Sequence, residues 1–151
     1  MTLMAHGPAN DDAAPLLTGA IPLQPVPDLA GSDVKLVVCA PEVPCGSATD
    51  AVSAAAGVTL TPVSEESSVT DVLGKVTSRE ADAGLVYVTD VAAAGDAVEG
   101  IEFDEAAQAV NTYPIVAVKD SASAVVAQAF VDFISSRAGQ KVLSAAGFGA
   151  P

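Results

Sequence analysis

The 151-residue sequence has no tryptophan, one histidine and only six lysines and arginines. Each scarcity excludes something. Aromatic residues make up 4 % of the chain and hydrophobic residues 50 %, so a core has to be built from Ala, Val, Leu and Ile. The basic residues (Lys35, Lys75, Arg79, Lys119, Arg137, Lys141) are scattered among 19 acidic ones, for a net charge of −13. Nucleic-acid binding is thereby excluded, because it depends on neutralising phosphates with a basic surface. The acidic balance also gives no long-range attraction to small anions, so an anion site here has to work through local dipoles.

Catalytic patterns are missing as well. The sole histidine, His6, lies in the leader, so no Ser–His–Asp arrangement can form in the folded part, and no G-x-S-x-G elbow is present. Neither a P-loop nor a G-x-G-x-x-G turn follows any strand. The adjacent Glu65–Glu66 pair reads as a solvated turn, since neighbouring residues rarely face one point. The chain therefore reads as a non-enzyme with no cofactor. No apolar run approaches the roughly 18–20 residues that cross a bilayer. The opening MTLMAHGPAN lacks the basic start and apolar stretch of a secretory signal, so export would require a signal outside this sequence.

Two cysteines are present, Cys39 and Cys45, in CAPEVPC. This is not a zinc pattern, which needs two more ligands. Two readings stay open. A disulfide closing the short proline-containing loop fits an oxidising compartment and is favoured; the alternative is a pair of free thiols, one buried at a strand end.

Residues 1–33 carry Pro8, Pro15, Pro22, Pro25 and Pro27 without sustained periodicity, which predicts a flexible or extended arm with at most a short strand near 21–26. Clearer signals follow. Strands are predicted at 34–39 (VKLVVC), 58–63 (VTLTPV), 83–89 (AGLVYVT), 101–103 and 113–118 (YPIVAV). Helices are predicted at 47–56, closed by Gly57, and at 69–79, capped by Ser67 or Ser68 with Val69, Val72, Leu73 and Val76 on one face. Two more, at 125–135 and 140–146, end the chain. The alternation implies an α/β fold, a mostly parallel sheet with helices on both faces. In such sheets ligands bind outside the carboxyl ends of the strands, where helix amino termini expose unpaired N–H groups suited to a dianion. The junction Pro44-Cys45-Gly46-Ser47, the junction Ser67-Ser68-Val69 and the strand-end Tyr87 qualify.

The same segments carry a family resemblance. Residues 34–47 (VKLVVCAPEVPCGS) resemble the strand and "VPAG" loop of periplasmic molybdate-binding proteins of ABC importers, with Cys45 where alanine is usual. Residues 66–73 (ESSVTDVL) are similar to their "xxVxxAL" helix start, and 81–90 (ADAGLVYVTD) to their "ADAGIVYxSD" strand. YPIVAVKD at 113–120 is similar to the return strand, and 127–148 to the closing helices. The resemblance implies a type II periplasmic-binding fold, two lobes closing on a tetrahedral oxyanion held by neutral donors. Carried over, Cys45 and Val69 would each give a backbone N–H and Tyr87 its phenol, to molybdate or tungstate and to no metal ion directly. Residues 1–32 would be an arm left from the first lobe or a crossover, 33–112 the second lobe, and 113–151 the return strand and closing helices of the first lobe. The serine-bearing first-lobe segment of the family has no counterpart here. An extracytoplasmic location and an ABC permease as partner follow from the same resemblance. The alternative is a truncated lobe that folds and self-associates, as a homodimer through its uncovered apolar helices, without binding an anion.

Overall fold

The computed structural model describes residues 1–6, 25–31 and 33–150. It divides into two compact units, Met1–Asn111 and Thr112–Pro151.

The first unit is built on a five-stranded sheet in the order β3-β2-β4-β1-β5. The strands are β1 (Thr2–His6), β2 (Leu36–Cys39), β3 (Ser64–Glu66), β4 (Ala83–Val86) and β5 (Val98–Ile101). β2 pairs in parallel with both β3 and β4, while β1 runs antiparallel to β4 and to β5. Four strands therefore point one way and β1 alone opposes them, which is the mostly parallel α/β fold expected. The buried strands read as near-continuous apolar runs because both faces are covered. On one face Leu36, Val38, Ala83 and Leu85 meet Ala48 and Val52 of helix α2 (Pro44–Ala56), and Val26 of the short α1 (Pro25–Asp28) joins them. On the other face Val37, Cys39 and Val86 meet Val72 and Val76 of α3 (Val69–Thr77). Gly84 lets α3 come close; a Cβ there would lie 2.7 Å from a Val72 methyl.

Local chemistry sets the helix ends. α2 starts three residues before the predicted Ser47, because Pro44 at its first position has a helix-ready φ and no N–H to leave unpaired. It ends at Gly57, whose φ of 66° is the left-handed cap that glycine adopts without a Cβ clash. α3 is capped by Ser68, whose Oγ accepts from the Asp71 N–H at 3.2 Å. α4 (Val88–Ala94) takes over where β4 was predicted to continue to residue 89.

Several predicted elements are corrected. The arm is not featureless: Thr2–His6 is a strand inside the sheet, with Thr2 and Met4 buried. Of the short strand predicted at 21–26, residues 21–24 lie outside the described residues and Val26 is helical. The alternating run at 58–63 is an extended lead-in, since Pro62 has no N–H for a ladder, and pairing begins when the Val63 N–H donates to the Leu36 carbonyl at 2.8 Å. Strand β5 ends at Ile101, and Phe103 turns in to the core instead. Residues 113–118 join no ladder among the described residues, with Val116 81 % exposed; an unpaired strand leaves its backbone donors and acceptors to water.

The second unit holds α5 (Ala124–Ser135) and α6 (Arg137–Ala145), joined at Ser136. The Ser136 Oγ donates to the Phe133 carbonyl at 2.6 Å and accepts from the Gly139 N–H at 3.2 Å, so one hydroxyl ends the first helix and caps the second. Tyr113 and Phe148 meet edge to face at 6.0 Å.

Candidate anion-binding site

Strands β3, β2 and β4 are neighbours and parallel, so their carboxyl ends share one edge of the sheet. α3 leaves from the end of β3, α2 from the end of β2, and Tyr87 directly follows β4. The structure therefore places Cys45, Val69 and Tyr87 on that edge. It also packs them into one apolar cluster, Cys45 buried and Val69 and Tyr87 half-buried against it. Cys45 is the second residue of α2 and Val69 the first of α3, positions whose N–H groups have no partner inside the helix. Two helix amino termini thus present backbone donors and partial positive charge beside a phenol.

Two features hold the start of α2 in place. Cys39, the last residue of β2, is joined to Cys45 by a disulfide with the Cα atoms 5.6 Å apart. The next residue, Gly46, lies so close to the preceding loop that a Cβ would fall 1.8 Å from the Ala40 carbonyl oxygen. Only glycine lets the first turn of the helix settle back onto the strand end.

The serines before α3 are engaged otherwise. Ser67 and Ser68 hydroxyls donate to the Asp71 carboxylate at 3.1 and 2.7 Å, so their hydrogens are already engaged within the turn. At the end of β3, Glu66 carries a charge that would oppose an anion. Lys75 answers it, its Nζ 2.6 Å from the carboxylate and 2.9 Å from the Ser64 hydroxyl. The hydrogen bond from Lys75, then that from Ser64, hold the Glu66 carboxyl below its ordinary range.

Side chains hold both the backbone and the phenol of Tyr87. Its N–H donates to the Asp90 carboxylate at 3.0 Å, and its phenol oxygen accepts from the Asn111 side-chain amide at 2.5 Å. Asn111 was not singled out in the sequence, where it stands 24 residues away with nothing to mark it. A shallow cleft of about 190 Å³ between α2 and the 59–65 segment is a different place: Asp50 and Glu65 line it, and none of the three donors does. Among the described residues no group of His, Cys, Asp or Glu could hold a metal ion, and no helix is long and apolar enough to cross a membrane.

Comparison with known proteins now becomes informative. The sequence profile of the bacterial extracellular solute-binding protein family matches residues 8–149. The chain belongs to this family. Among curated members similar to this solute-binding protein is the molybdate-binding protein ModA of Mycobacterium tuberculosis, 46 % identical over 124 residues, covering 82 % of this chain and 48 % of the relative. ModA of Mycobacterium bovis matches with the same figures. The chain thus spans about half the length of the curated relatives it matches, at 48 %. In structure it is similar to a substrate-binding domain assigned to a molybdenum ABC transporter from Clostridium difficile, with a TM-score of 0.57, 25 % identity, and 95 % of this chain and 59 % of that chain covered.

Proposed function

We propose that this chain captures molybdate, or tungstate, as part of the solute-binding component of an ABC importer, outside the cytoplasm, and catalyses no reaction. The observation that carries the reading is the convergence of two helix amino termini and a tyrosine on the edge of three adjacent parallel strands, packed into one cluster. Cys45 and Val69 supply backbone N–H groups and Tyr87 its O–H. All three donors are neutral, and discrimination among tetrahedral oxyanions follows from cavity size. The lobe assignment that goes with it is 1–32 as an arm left from the first lobe or a crossover, 33–112 as second lobe and 113–151 as part of the first.

Three hydrogen bonds to a charged ligand, at about 1.5–3 kcal/mol each, correspond to dissociation constants from roughly millimolar to micromolar. Isothermal titration with molybdate, with sulfate as control, tests this. Saturable, sulfate-resistant binding in that range is the expected result; no heat with either anion overturns the proposal.

A second reading has its own observation. Val125 is 85 % and Phe130 56 % exposed on α5, an apolar surface of the kind that self-association covers. On this reading the chain is a homodimer that binds no anion, and sedimentation analysis with and without molybdate separates the two.

A further inference from the structure

Resting on the molybdate reading, we infer that Cys39 is a positioning residue. Through its disulfide to Cys45 it latches the first turn of α2, and so makes oxyanion binding sensitive to redox state. Serines cap α3 and α6, whereas α2 has Val43 at its cap position, a residue with no side-chain acceptor for the first N–H groups. What ties the start of α2 to the sheet is covalent. Cys45 is the second residue of the helix, and Cys39 is the last of β2, opposite Glu66 in the ladder with β3. The segment between them is short and itself anchored. The Val43 N–H donates to the Ala40 carbonyl at 3.1 Å, and the Ala40 N–H to the Glu66 carbonyl at 2.8 Å.

Opening the bond disturbs a place without slack. Both cysteines are buried in the apolar cluster on the α3 face of the sheet, with Val43 packed against it. Two thiols need more room than a bonded pair of sulfurs, and Gly46 already lies against the Ala40 carbonyl. The ladder holds Cys39, so the turn that carries Cys45 is what yields. The Cys45 N–H, the donor assigned to the oxyanion, moves with that turn. Closing the latch is a two-electron oxidation: the two thiols give two protons and two electrons to a disulfide oxidant, which leaves as a dithiol. A dithiol reductant runs the exchange backwards. Its first thiolate forms a mixed disulfide with one cysteine, and its second displaces that cysteine as a thiol. An oxidising compartment outside the cytoplasm keeps the latch closed.

The test separates the latch from the ligand. Iodoacetamide labelling of the unfolded parent, purified without reductant, should find no free thiol; free thiols at both cysteines overturn the role. Cys39→Val/Cys45→Ala removes the bond while keeping the place apolar, and is compared with the parent by native-state amide hydrogen exchange. Amides of residues 45–48 should accelerate more than those of β2 and β4, as for a local opening. Acceleration that is uniform over the sheet unit, as for a bond that acts only on the unfolded chain, overturns the latch. Molybdate titration of the variant, free of added thiol, should show binding about tenfold weaker, as for one hydrogen bond to a charged ligand. The parent reduced with dithiothreitol, then freed of it under nitrogen, serves both measurements if the variant does not fold. An affinity equal to the oxidised parent's overturns the positioning role alone. A parent that ignores molybdate overturns the functional reading, while the exchange comparison still decides whether the bond latches the turn.

Discussion

Met1–Asn111 and Thr112–Pro151 use the same few apolar residue types to opposite ends. In the first unit Leu36, Val37, Val52, Val72, Leu85 and Val86 are fully enclosed between the sheet and its helices. In the second, Val116, Val125, Val126, Phe130 and Val142 all stand more than half exposed, and among the described residues every buried hydrophobic side chain belongs to the first unit. Both helices of the second unit are amphipathic. The difference lies in what each apolar face meets. A sheet offers a broad complementary surface, whereas two short helices joined at a corner cover little of one another. Periodicity marks a face for burial; it does not say what covers it.

Paired truncations break or sharpen that contrast. Leu85→Ala removes a fully buried side chain from β4 and should cost about 2–5 kcal/mol in urea unfolding. Phe130→Ala, at a residue 56 % exposed, should stay within about 0.5 kcal/mol. A Phe130→Ala cost approaching that of Leu85→Ala would mean that the face is covered in solution, and a concentration-dependent midpoint would identify a second copy as the cover.

A smaller effect separates the units at their tightest backbone contacts. Gly46 is the third residue of α2, and Gly139 the third of α6. A Cβ at Gly139 would fall 2.3 Å from the Phe133 carbonyl oxygen, as one at Gly46 would meet Ala40. Each methyl forces backbone to move, at about 1–3 kcal/mol. Gly46→Ala should lower the midpoint of the whole sheet unit and, if the proposed site binds molybdate, weaken that binding, because it displaces the adjoining Cys45 N–H. Gly139→Ala should loosen only the α5–α6 corner, read as faster amide exchange there, with titration unchanged. Equal losses of affinity in both would dissolve the distinction.

The sequence was most legible where local chemistry and packing agree. VKLVVC and ADAGLVYV announce buried strands, Ser68 and Gly57 punctuate helices, and the two junctions at Cys45 and Val69 follow from parallel topology. Legibility failed where pairing decides. VTLTPV alternates like a strand, yet Pro62 delays the ladder until Val63 reaches Leu36. YPIVAV has strand composition and no strand beside it among the described residues. Thr2–His6, read as part of a proline-rich arm, becomes a strand because β4 and β5 each offer it an edge. Asn111 was invisible because its meaning is a single contact across 24 residues.

The smallest expected effect concerns acid. Within the first unit, Lys75 and Ser64 hold the Glu66 carboxyl below its ordinary 4.5. A carboxyl depressed in the folded state adds stability that is present above its ordinary value and lost as pH falls through the lower folded one. Lys75 is one-third exposed and Glu66 15 % exposed, so solvent screening keeps the contribution below about 1 kcal/mol. Unfolding midpoints of the parent and Lys75→Met, measured between about pH 3 and pH 6, should differ at the upper end and converge at the lower. A gap that persists at the acid end would mean that Lys75 contributes more than its pairing with the Glu66 carboxylate, its bond to the Ser64 hydroxyl included. Convergence would mean that what Lys75 adds to stability is its pairing with the ionised Glu66 carboxylate, which is lost once that carboxyl is protonated.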